Sequence, residues 1–118
     1  MPKATFIVLN KVESALLATF PAFISDEVLV DFKQTLLGKL SKDRSQYLLC
    51  DLSGLEFVDI DEYLELIQTL SMASLLGTKA IMVGMKANIA ATLVDYDIDV
   101  AMFEHVLNLD DGLALTRQ

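Results

Sequence analysis

Apolar and polar positions change their period several times along this chain, and each change marks an element. TFIVLNKVESALLATF, residues 5–20, alternates on both sides of a polar break. It predicts two short strands joined by a turn at residues 11–14, with Pro21 closing the hairpin. In SDEVLVDFKQTLLGKLSK the apolar residues Val28, Leu29, Phe32, Leu36, Leu37 and Leu40 recur every three or four positions, so one face of a helix is buried. Ser25 is its expected N-cap, and acids in the first turn with lysines in the last suit the helix dipole. YLLCDL is a near-continuous apolar run, the pattern of a strand covered on both faces. SGLEF reads as a loop. DIDEYLELIQTLSMASLLG restores the helical period, with Leu64, Ile67, Leu70 and Leu75 as the expected core face and Gly77 as its stop. KAIMVGM is a second buried strand and KANIAATLVDYDI a shorter helix. VAMFEHVLN is a weak strand or loop, and LDDGLALTRQ a terminal helix that begins after Asn108.

Strands alternate with helices from Ser25 onward, and each helix has a single apolar face. That order predicts an α/β sandwich: a mostly parallel sheet with helices packed on it and an N-terminal hairpin. The 118 residues read as one domain, 1–118, with no linker and no repeat. Hydrophobic residues make up 53% and charged residues 22%, which predicts a packed core rather than disorder. No run of about 18 apolar residues occurs, so no membrane-spanning helix and no direct membrane insertion are expected. The first residues carry one lysine and then an alternating strand, which is not the pattern of a secretory signal.

Cys50 is the single cysteine. It excludes an intrachain disulfide and suits a reducing, cytoplasmic compartment. Its apolar neighbours predict a buried, unreactive thiol. A formal net charge of −8 argues against a nucleic-acid or anionic-membrane partner and allows a basic one. One histidine and one cysteine give no metal-ligand spacing. The five glycines are scattered and form no phosphate-binding loop, so no cofactor is expected. His105 has neither a nucleophile nor an orienting acid beside it in sequence and reads as structural.

The conspicuous polar feature is LEFVDIDEYLELIQ, residues 55–68, where Asp59, Asp61 and Glu62 crowd the junction between a loop and a helix. Such acids could hold a divalent cation. Asp51, at a strand end, could serve as the phosphoacceptor of a receiver domain. A receiver also needs an acid pair after its first strand, where this chain has VLNKVES, and it does not begin with a hairpin. Asp59 and Asp61 are too close in sequence to flank a pocket as an acid/base pair. The plain reading is an N-capped, acid-rich first turn, each charge worth about 0.3–1 kcal/mol against the dipole. No catalytic residue is expected.

Five segments carry a family resemblance: YLLCDLSGLEFVD, a helix ending SLLGTKA, IMVGM, KANIAATLVDYDI and LNLDDGLAL. On these segments the chain resembles a STAS (SpoIIAA-like) domain, and the resemblance covers nearly the whole chain. It is most similar to the anti-sigma-factor-antagonist-like stressosome proteins of the RsbS and RsbR kind. DLSG…VD is general to STAS domains, whereas LLGTKAIMVGMKANIAATL is more specific to the stressosome branch. That branch usually has G-I-x-P before the third helix; here the segment is GMKAN, without the proline.

The resemblance implies a non-enzymatic, protein-binding domain acting as a stress-signalling scaffold or regulator. In phosphorylated members a hydroxyl residue follows the Asp of the VD element, where a partner kinase modifies it and so alters binding. Asp59 matches that Asp and Ile60 the phosphoacceptor position, which here has no hydroxyl. A second phosphorylated threonine of RsbR-type members matches Thr92, while Ser53, Ser71 and Ser74 match no such site. The expected contact surface is the start of the second helix, Asp59, Ile60, Asp61, Glu62 and Tyr63, with the loop from Ser53 to Phe57. The implied partners are other STAS-domain proteins, a switch serine/threonine kinase or an anti-sigma-like protein, in a homo- or hetero-oligomer. Two readings of the surface stay open: Asp61 and Glu62 as a partial mimic of phosphate, or Ile60 as an apolar contact. Rival functions are an accessory subunit of a membrane transport complex and a small-ligand sensor.

Overall fold

In the computed structural model, which describes residues 6–117, the predicted hairpin forms from β1 (Val8–Val12) and β2 (Ala15–Thr19). Its turn is shorter than the polar residues suggested. Lys11 and Val12 stay in β1, opposite Leu16 and Ala15, and only Glu13 and Ser14 reverse the chain. Glu13 makes this possible by adopting φ 56, the left-handed region that lets a two-residue connection match the twist of its strands. Thr5 of the predicted first strand and Gln118 of the predicted last helix lie outside the described residues.

The remaining elements follow the predicted order. They are α1 (Asp26–Lys42), β3 (Tyr47–Asp51), α2 (Ile60–Leu75), β4 (Lys79–Val83), α3 (Ala87–Asp95), β5 (Glu104–Val106) and α4 (Leu109–Thr116). A 3-10 turn at Val100–Met102 precedes β5 and takes up part of the segment that read as a weak strand or loop. The expected caps are in place. Ser25 Oγ accepts the Val28 N–H at 3.3 Å, and the Asn108 side chain accepts the Asp111 N–H at 2.9 Å. Gly77, at φ 91, ends α2 as a C-terminal glycine should.

The sheet order is β1-β2-β3-β4-β5, with β1 antiparallel to β2 and the other four strands parallel. Alternate residues of the central strands enter two separate cores. Leu16, Ala18, Leu48, Cys50, Ala80 and Met82 join the main core with α1, α2 and α3. Ala15, Leu49, Ile81 and Val83 face Leu113 of α4. This is why YLLCDL and KAIMVGM read as unbroken apolar runs: both sheet faces are covered. Leu36, Leu40, Leu48 and Leu66 are fully buried, each contributing about 1.5–3 kcal/mol relative to exposure.

One helical face differs from expectation. In α2 the buried residues are Tyr63, Leu66, Thr69, Leu70 and Ala73. Leu64 is 45% and Leu75 88% exposed. The helix has more apolar residues than one stripe can hold, so periodicity admits two phases. Leu64 lies about 200° around the helix from Leu66, and packing on α1 and the sheet selects the Leu66 side. Because β2, β3 and β4 run parallel, the helices that follow them all begin at the carboxyl edge of the sheet, the edge where open α/β sheets place their binding sites.

Candidate functional site

The start of α2 stands at that carboxyl edge. Asp59 is its N-cap, and Glu62 reaches back to accept the Asp59 N–H at 3.4 Å in a capping-box arrangement. The plain helix-start reading of DIDE is therefore borne out in the geometry. Asp59, Ile60, Asp61 and Glu62 share a shallow cleft of about 470 Å3 with Asp26 and Tyr96. Asp26 arrives from the first turn of α1 and Tyr96 from the end of α3, where Asp97 turns the chain at φ 61. Burial holds the Glu62 carboxyl above the ordinary carboxylate range. The negative charges of Asp59, Asp26 and Glu65 add to that effect, and the Asp59 N–H opposes it. Among the described residues no three Asp, Glu, His or Cys side chains converge as a metal-binding group.

Tyr63 does not belong to this surface. It was expected to face a partner, yet it is 1% exposed and sits in the main core. The fourth helical residue points inward because α2 must bury one stripe against α1 and β4. Burial, with a smaller effect of Cys50, pushes its hydroxyl up to about 12. That hydroxyl has no hydrogen-bond partner. Burial alone pushes the Cys50 thiol up to about 12, which matches the expected inert thiol.

Ser53 is exposed but lies apart from the α2 cleft. Its N–H and hydroxyl both donate to Asp51 Oδ1, at 3.0 and 2.7 Å. That turn occupies the carboxylate a receiver would use as phosphoacceptor. Ser53 packs instead against Gly84, the first residue after β4. A Cβ on Gly84 would come within 3.1 Å of the Ser53 Cβ, and its φ of 70 favours glycine as well. Thr92 lines a narrow groove with Glu56, Phe57, Val58, Asn88 and Ile89. Its side chain is exposed, and its hydroxyl donates to the Asn88 carbonyl at 2.9 Å. His105 is exposed, with Nε2 2.6 Å from the Val100 carbonyl oxygen.

The loop from Ser53 to Phe57 was expected at this surface, but its partners Phe23 and Lys86 had no signal of their own in the sequence. Phe23 and Phe57 are 62% and 55% exposed and are joined by an isolated parallel bridge. Glu56, beside them, pairs with Lys86 at 3.3 Å. At the opposite edge Arg117 donates to both Glu13 carboxylate oxygens, at 2.9 and 2.7 Å, tying α4 to the hairpin turn. The sequence separation of 104 residues hid that pair. Asp26 could have been anticipated, since a helix capped by Ser25 must begin at the same edge as α2.

No family model matches the chain. Over 80 residues it is 34% identical to the RsbT co-antagonist protein RsbRA of Bacillus subtilis (strain 168), a stretch of 68% of this chain. The chain spans 29% of the length of that relative. Among solved structures it is similar to a serine-to-glutamate variant of Moorella thermoacetica RsbS, with 28% identity, a TM-score of 0.80 and 94% of both chains covered. The chain is a STAS-domain protein of the RsbS/RsbR type. A chain from a structure of the stressosome, described as a signal integration and transduction hub, matches at 27% identity and a TM-score of 0.75. That match covers 93% of this chain and 96% of the other. The STAS fold expected from the resemblance is the fold observed. Among the described residues no helix is long and apolar enough to cross a membrane.

Proposed function

We propose that this STAS domain is a non-enzymatic interaction module of a cytoplasmic bacterial stress-signalling assembly, binding other STAS domains through the carboxyl edge of its sheet. The similarity to RsbS over 94% of both chains is the observation that carries this reading. The shape of the edge supports it. Exposed aromatic residues, Phe23, Phe57 and Tyr96, stand beside the four acids of the α2 cleft. Aromatic side chains next to polar groups are the usual anchors of a protein contact.

Within that surface Asp59, Ile60, Asp61 and Glu62 are the contact residues, and Ser53, held by Asp51, stands outside it. Ile60 occupies the place where switched relatives carry a hydroxyl. The negative charge beside it is therefore permanent, and binding here needs no kinase. Asp61 and Glu62 supply charge but not the three acceptor oxygens of a phosphate. The position on this chain for a serine/threonine kinase is Thr92.

The test is assembly. The chain is mixed with the RsbT co-antagonist protein RsbRA of Bacillus subtilis, and the mass is followed by light scattering. A joint species heavier than either component is expected. Two components that elute separately at all tested concentrations would remove the proposal.

A further inference from the structure

Three of the nine basic residues of this acidic chain meet at the end of the sheet farthest from the α2 cleft. Lys39 and Lys42 come from the last turn of α1, and Lys11 from β1. With Leu16 and Asp43 they line a pocket of about 230 Å3. The helix dipole accounts for lysines at the end of α1. It does not account for Lys11 meeting them from another element. Asp43 pairs with Lys11 at 2.8 Å. Among the described residues Lys39 and Lys42 make no salt bridge, and neither do Asp26, Asp59, Asp61 or Glu62 at the other edge. Leu16 and the lysine stems give the pocket an apolar lining beneath its charged rim.

We propose that this pocket receives the first turn of α2 from a second copy of the chain, with Asp59, Asp61 and Glu62 meeting the lysine ammonium groups and Ile60 facing the apolar floor. The proposal rests on the reading of the α2 start as a contact surface and names the surface it fits. The two surfaces lie at opposite ends of parallel strands, so one molecule cannot pair its own. The match is one of charge sign and of an apolar centre within a charged rim. The net charge of −8 opposes association at long range. The contact is therefore read at about 0.15 M salt, where the Debye length is about 8 Å and adjacent charges decide.

The experiment is complementation between two charge-reversed variants, with light scattering and sedimentation as readouts. Circular dichroism first shows that each variant folds. Wild type is expected to exceed the 13.0 kDa monomer mass as concentration rises. Lys39→Glu with Lys42→Glu, and Asp61→Lys with Glu62→Lys, are each expected to weaken self-association at least tenfold. An equimolar mixture should associate again, because one variant keeps the acidic turn and the other keeps the basic pocket. A wild type that stays monomeric to 1 mM, a pocket variant that associates like wild type, or a mixture that stays monomeric overturns the proposal. The broader reading is tested separately with the RsbR-type partner. If Asp61→Lys with Glu62→Lys loses that partner while the pocket variant self-associates normally, only the pocket assignment falls. If it keeps both contacts, the α2 surface itself falls.

Discussion

The start of α2 and the solvent face of α3, which the proposed reading matches to the phosphate-bearing positions of switched relatives, are built in opposite ways. Ile60 is half-buried, packs against the main core and has no hydroxyl. The charge around it is written into Asp59, Asp61 and Glu62. Thr92 stands on the exposed side of a helix whose buried residues are Ile89 and Leu93, and its hydroxyl already hydrogen-bonds one turn back to Asn88. The first surface carries fixed charge and no hydroxyl, whereas the second presents an exposed hydroxyl at a narrow groove. Under the proposed function, a change of state would belong to α3 and the permanent contact to α2.

Substitutions at the two surfaces test that contrast, and the largest effect belongs beneath it. Tyr63→Ala should lower unfolding free energy by about 3–5 kcal/mol, the range for deleting a buried aromatic ring. A loss below about 1 kcal/mol in urea titration would put Tyr63 back on the surface. Tyr63→Phe, which removes only an unpartnered hydroxyl, should be neutral or stabilising in the same assay. Ile60→Ser should cost about 1–2 kcal/mol, because a half-buried branched side chain leaves the core margin. In return it creates the missing hydroxyl. Incubation with a kinase that modifies a related STAS protein should then phosphorylate Ile60→Ser at that position, as read by mass spectrometry. An unmodified variant would break the match of Ile60 to the switch position.

Smaller effects sharpen the comparison. Thr92→Asp should change stability by less than about 0.5 kcal/mol, as expected for an exposed side chain. A loss of several kcal/mol would return Thr92 to the core. Glu62 gives a pH signature. Its carboxyl is raised, chiefly by burial, so its contribution to stability is present below the ordinary carboxylate value of 4.5 and is lost as pH rises through the raised value. Glu62→Gln should therefore melt slightly higher than wild type at pH 7, and the difference should vanish below pH 4. A variant that melts lower at pH 7 would mean that the charged form is needed for the cap.

Much of this architecture was legible in the residues because local signals agreed with one another. Ser25, Asn108 and Gly77 marked helix ends, and the apolar runs at 47–52 and 79–83 announced strands covered on both faces. The family resemblance rested on those same segments. What failed were questions of phase and of distance. Tyr63 and Leu66 compete with Leu64 and Leu75 for the inner face of α2, and only the packing against α1 decides between them. Ser53 is close to the acid turn in sequence but is drawn to Asp51 and Gly84. The union of Asp26 and Tyr96 with the α2 acids, of Glu13 with Arg117, and of Lys11 with Lys39 and Lys42 depends on strand order, which no local pattern encodes.

The most direct measurement is the affinity of the RsbR-type partner for wild type and for Asp61→Lys with Glu62→Lys, by titration calorimetry. The substitution reverses four units of charge at the first turn of α2. It should cost only about 1 kcal/mol of stability, chiefly at Asp61, whose charge suits the helix dipole, since the charged form of Glu62 is already disfavoured. Like charges set against a complementary surface are repulsive, so the dissociation constant should rise at least tenfold, about 1.4 kcal/mol or more. An unchanged dissociation constant in a variant that remains folded would contradict the assignment of this surface to partner binding.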